Sequence, residues 1–172
     1  MKRILAVLTA LSLICIFASC DSKTVTDNTT KPDNNITSSS DVKTVSVMDI
    51  MNEIENKGYL PENPVKLTKN DLLDYYGIEP SDVKDCAVVQ NPSGYQDEII
   101  IIETVDENSK ITVKNILEDQ INYKRDQMKN YDAEMYDILS DCHVEMNGNY
   151  VALFISAERE AISTIFNSYF IG

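Results

Sequence analysis

Tryptophan is absent, histidine occurs once and glycine only five times in 172 residues. Basic residues are scarce too, 15 against 28 acidic, for a net charge of −13 at neutral pH. Each shortage excludes something. One histidine, no Cys-x-x-Cys and no acidic loop closed by glycine leave no recognisable zinc or calcium motif. Glycines scattered over helix ends and turns make no phosphate-cradling loop, and nothing implies a cofactor. An acidic surface repels phosphate backbones, so nucleic acid is a poor partner.

The longest apolar run, Ile4 to Phe17, follows Lys2 and Arg3 and ends in Ala18-Ser19-Cys20. It is too short for a bilayer span and has the layout of a secretion signal. Small residues directly before Cys20 resemble the lipobox of bacterial lipoproteins, although Phe17 replaces the usual leucine. The expectation is that residues 1–19 are removed and that Cys20 becomes the lipidated first residue. The protein would then sit on the extracytoplasmic face of the cell membrane, held by a lipid. Loss of Lys2 and Arg3 leaves 153 residues with a net charge of −15. Cys15 departs with the signal, so Cys86 and Cys142 remain. They form either a disulfide or two small buried hydrophobes, and the second reading is favoured.

Residues 20–43 are polar and aperiodic, and are expected to be a disordered tether. A single domain is expected over 44–172. Ser46 and Asp49 precede an apolar i, i+3, i+4, i+7 stripe of Val47, Ile50, Met51 and Ile54, stopped by Gly58. Thr68 and Asp71 open a shorter helix with Leu72, Leu73 and Tyr76, stopped by Gly77. Asp85–Gln90 and Glu98–Val105 read as a hairpin across Asn91-Pro92-Ser93-Gly94. The isoleucines from Ile99 to Ile102 predict a strand covered on both faces and central in its sheet.

A long helix is expected from Ile111 to Asn130 and another over Asp132–Ser140. A hairpin turning at Asn147-Gly148 and a C-terminal helix carrying Ile162, Ile165, Phe166 and Tyr169 complete the chain. The order α-α-β-β-α-α-β-β-α predicts an α+β fold, an antiparallel sheet of about four strands with helices packed on one face. The buried set should include Ile100, Ile101, Leu117, Leu153, Ile162 and Phe166.

Several of these pieces together resemble a family of uncharacterised lipoproteins from Firmicutes such as clostridia, domain of unknown function 4358. They are the lipobox, Tyr75-Tyr76-Gly77-Ile78, the Glu98-Ile99-Ile100-Ile101 strand, the helix bearing Arg125 and Gln127, Tyr131, and Gly148-Asn149-Tyr150-Val151. The resemblance spans roughly residues 45–170. It implies a Gram-positive cell surface and no assigned activity.

His143 beside Cys142 invites a thiol nucleophile with its base. Alternation along the hairpin opposes this, placing Cys142 toward the core and His143 away from it. No residue is therefore named as catalytic or as a metal ligand. Nine tyrosines are the compositional oddity. Tyr123, Arg125 and Tyr131, near the end of the long helix, are the first candidate binding residues, and Glu145 with Tyr150, on an expected exposed hairpin face, the second. Two functions stay open. One is a binding or accessory module contacting an envelope protein or wall polymer; the other is a small extracytoplasmic hydrolase.

Overall fold

The computed structural model describes residues 45–92 and 97–171, within one compact unit, Val42–Gly172. The expected signal, Cys20 and the tether lie outside the described residues, as do residues 93–96 of the first hairpin turn.

Helix α1, Val47–Asn56, begins where the Ser46 side chain accepts from the Asp49 N–H at 3.2 Å. Its stripe of Val47, Ile50, Met51 and Ile54 is buried. Strand β1, Val65–Leu67, leads to α2, Asp71–Tyr76, which Gly77 closes at φ +74°. That backbone conformation suits a residue without Cβ. A 3₁₀ turn, Pro80–Asp82, delivers β2, Val83–Gln90, which pairs with β3, Glu98–Thr104. Helix α3, Glu107–Met128, starts four residues earlier than expected, because the Asp106 carboxylate accepts from the Ser109 N–H at 2.9 Å. Asp132 caps α4, Ala133–Asp141, in the same way at 3.0 Å. Strands β4, Glu145–Asn147, and β5, Tyr150–Ile155, precede α5, Arg159–Ser168.

The α+β class holds, with an antiparallel sheet of five strands among the described residues, in the order β1-β2-β3-β5-β4. The expectation of about four strands with helices on one face is corrected on both counts. β1 has only three residues, two of them exposed, so it carries no period that a sequence reading can detect. The helices lie on both faces. One layer, α2, α3 and α4, packs on Val88, Ile100, Ile102, Val151 and Leu153. The other, α1 and α5, packs on Val89, Ile99, Ile101, Ala152 and Phe154. Successive residues of a strand face opposite ways, so four consecutive buried isoleucines require two apolar covers. β3 is central, as its run of isoleucines predicts, and the six residues expected in the core are all buried.

The second hairpin turns one residue later than expected. Asn147 pairs with Tyr150, Met146 with Val151 and Glu145 with Ala152, leaving Gly148-Asn149 as the turn. Gly148 has φ +55° and Asn149 is not among the positive-φ residues, which is the II′ pattern rather than the I′ pattern of Asn-Gly. Each β4 residue thus meets a β5 residue two positions further along. A slip of two preserves facing, so Cys142 and Val144 stay with the α3 side.

Two tyrosines tie the α1 layer together. The Tyr150 hydroxyl donates to the Val45 carbonyl at 2.6 Å, and the Tyr169 hydroxyl to Glu53 at 2.8 Å. Burial first, then the Glu53 carboxylate, pushes Tyr169 up to about 12. Burial likewise pushes the Cys142 thiol up to about 11, and burial with the Glu98 charge raises Tyr76 further. The folded chain keeps these protons where an unfolded chain releases them. Their contribution is therefore complete below the ordinary thiol and phenol values and is lost as pH rises through the raised ones. The urea midpoint is expected to hold up to about pH 9 and fall steeply toward about pH 12. A midpoint unchanged across that range would contradict the buried placement of Tyr76 and Cys142.

Candidate functional site

Two polar constellations flank the C-terminal half of α3. The first is closed. Lys124 falls on the buried stripe Val113, Leu117, Ile121, Lys124, Met128, and its ammonium donates to Glu98 Oε2 at 2.8 Å. The Tyr76 hydroxyl donates to Glu98 Oε1 and lies 3.3 Å from Gln90 Oε1. Glu98 is 3% exposed and the other three are no more than 9%. Both Glu98 oxygens are engaged, and a tyrosine with a strongly raised pKa remains a neutral donor. Such an arrangement joins α2 and α3 to the ends of β2 and β3 and leaves neither Glu98 oxygen free for a ligand. At the other end of β3, Glu103 is held by Lys84 at 2.6 Å.

The second constellation is open. A cleft of about 250 Å³ lies between α3 and the chain entering β4, lined by Glu118, Ile121, Asn122, Arg125, Cys142, His143 and Val144. Glu118 is paired with Lys114 at 2.6 Å. Arg125 donates to Asn122 Oδ1 and has no carboxylate partner among the described residues. His143 is exposed, its Nδ1 3.3 Å from the Asp141 carbonyl. Cys142 turns inward, with Sγ 3.2 Å from the carbonyls of Ile138 and Phe154. With its thiol neutral and hydrogen-bonded to backbone, Cys142 is not a nucleophile for His143 to activate. Cys86 and Cys142 are both free, and burial raises the Cys86 thiol as well. Among the described residues no group of three or more His, Cys, Asp or Glu is placed to hold a metal ion.

The structure separates the other candidates. Arg125 alone of the first trio lines the cleft, while Tyr123 and Tyr131 are 59% and 85% exposed and do not line it. The expected exposed face of Glu145 and Tyr150 is instead covered by α5. Glu145 Oε2 accepts from Ser163 Oγ at 2.8 Å and Asn167 Nδ2 at 2.9 Å, and its Oε1 is buried without a partner. Tyr150 is buried against Phe170, ring centroids 4.9 Å apart. These two residues belong to packing. The sequence signals that could have pointed to these two constellations were a lysine on an apolar stripe and an arginine one residue beyond it.

Fold and site define a small three-layer domain, an antiparallel sheet between helices, with a polar cleft beside its β4 edge. The family described as domain of unknown function (DUF4358) matches residues 56–156, well over half of the chain, and the chain belongs to that family. The match takes in both constellations and stops before α5. No curated protein and no solved structure matches the chain. Among the described residues no helix is long and apolar enough to cross a membrane.

Proposed function

We propose that this protein is a membrane-anchored extracytoplasmic lipoprotein, held through Cys20, that serves as a binding or accessory module of the cell envelope. The cleft at Arg125 is its contact site. The observation that carries this reading is an arginine without a carboxylate partner among the described residues, set in an open cleft beside Asn122 and His143. A guanidinium presents a planar fork of donors suited to a carboxylate or another anionic group of a protein or wall polymer. A lipid anchor would raise the local concentration of this surface near membrane partners, so a weak contact suffices.

The test joins anchor and site. Mass spectrometry of the mature N-terminus is expected to find lipid on Cys20, and Cys20→Ser to release the protein or stall its processing. Cross-linking of the anchored protein is expected to capture an envelope partner, and replacing Tyr123, Arg125 and Tyr131 together by alanine to weaken capture at unchanged circular dichroism. His143→Ala should weaken it less. An unmodified N-terminus elsewhere removes the anchor from the proposal. Turnover of wall fragments or peptides that collapses when His143 or one acid is replaced favours the hydrolase.

A further inference from the structure

β4 is an edge strand of the sheet formed by the described residues, and its register shows which of its backbone groups have no partner in that sheet. The Thr104 N–H donates to the Asn149 carbonyl at 2.9 Å. Odd-numbered residues of β5 therefore bond to β3, and even-numbered ones, Tyr150 and Ala152, bond to Asn147 and Glu145, since the two sides of an antiparallel strand alternate. Met146, and Val144 just before the strand, then turn their N–H and C=O groups outward, away from the sheet. Val144 packs on the α3 side and lines the cleft, while Met146, on the same side, is 47% exposed. The free edge thus runs from the turn at Gly148 down to the cleft that holds Arg125.

We infer that this edge takes up an extended peptide as a sixth strand, antiparallel to β4, with the peptide's C-terminal carboxylate seated on the Arg125 guanidinium. The inference rests on the reading of the cleft as the contact site and names its ligand. Addition antiparallel to β4 continues the pattern of the whole sheet. It also places the incoming C-terminus beside Val144, at the cleft, where the Arg125 guanidinium, without a carboxylate partner among the described residues, supplies the complementary charge. Main-chain hydrogen bonds to Val144 and Met146 would provide affinity, and the carboxylate would provide direction. A second copy of the chain fits less well, because two molecules of net charge −13 repel. A neutral peptide carrying a single terminal carboxylate avoids that repulsion.

The probe is an octapeptide of alternating Thr and Val, labelled at its N-terminus and free at its C-terminus. Its binding to the full chain in detergent is followed by fluorescence anisotropy. Saturable binding is expected, weakened about tenfold or more by C-terminal amidation and by Arg125→Ala. N-methylation of the amides on one alternate set of residues should weaken binding to a similar degree, and on the other set leave it unchanged, since a strand bonds to its neighbour through every second residue. The Val144 and Met146 amides should become protected from hydrogen exchange. If binding depends on Arg125 and ignores methylation at both sets, the sixth strand is wrong and the cleft reading stands. If neither amidation nor Arg125→Ala matters, both fall. Absence of saturation up to about 1 mM overturns the peptide.

Discussion

Lys124→Met is expected to destabilise the fold by about 3–5 kcal/mol, among the largest effects of any single change outside the apolar core. The substitution keeps most of the side-chain bulk and removes the charge that neutralises Glu98, whose carboxylate is 3% exposed. Tyr76 alone then faces a buried anion, and one hydrogen bond does not replace an ion pair in a water-poor site. Adding Glu98→Leu to Lys124→Met should return most of the loss, leaving a deficit of about 1–2 kcal/mol. In the double variant the Tyr76 hydroxyl still has the Gln90 oxygen within 3.3 Å. Urea unfolding followed by circular dichroism measures both. Additive losses would mean that Lys124 and Glu98 do not act as a pair.

Phe154→Ala should cost about 3–5 kcal/mol. Phe154 is 1% exposed and points into the α1/α5 layer, where its ring meets Phe166 edge-on, centroids 5.7 Å apart. Truncation opens a cavity between the sheet and α5. The same change at its strand neighbour, Leu153→Ala, opens one in the α3/α4 layer instead, at about 2–5 kcal/mol. The comparison tests the three-layer arrangement. Were the α1/α5 face solvated, Phe154→Ala would fall below about 1 kcal/mol.

The elements with strong periods were legible in the residues. Four adjacent isoleucines placed β3 at the centre, and the stripes of α1, α3 and α5 marked their buried sides. β1 escaped because Val65–Leu67 is held by pairing with β2 rather than by a pattern of its own. The second helical layer escaped for a different reason. Each stripe states that a helix has a buried side, and none states against which face of the sheet it lies. That depends on connections, which place α1 and α5 opposite α3. The hairpin turn was displaced by one residue because Asn-Gly and Gly-Asn are both favourable pairs, and the sequence Asn147-Gly148-Asn149 contains each.

The site was half visible. Arg125 was legible as a charge near the end of a long helix, yet its cleft depends on how the chain enters β4, which no local signal records. Glu145 and Tyr150 were misplaced by assuming that one face of the hairpin is solvated. With α5 over that face, a glutamate and a tyrosine become internal hydrogen-bonding groups. Glu98 and Lys124 stood 26 residues apart on a strand and a helix whose packing alone brings them together.

The Tyr150–Val45 hydrogen bond also sets how the domain would respond to force. Any pull transmitted along the chain before Val45 enters at Val45 itself, two residues before α1 begins, at a carbonyl fastened to β5. The expected first yield is the Val45 clasp, followed by the peeling of α1 off Val89, Ile99 and Ile101, while the opposite layer with its Arg125 cleft keeps its shape.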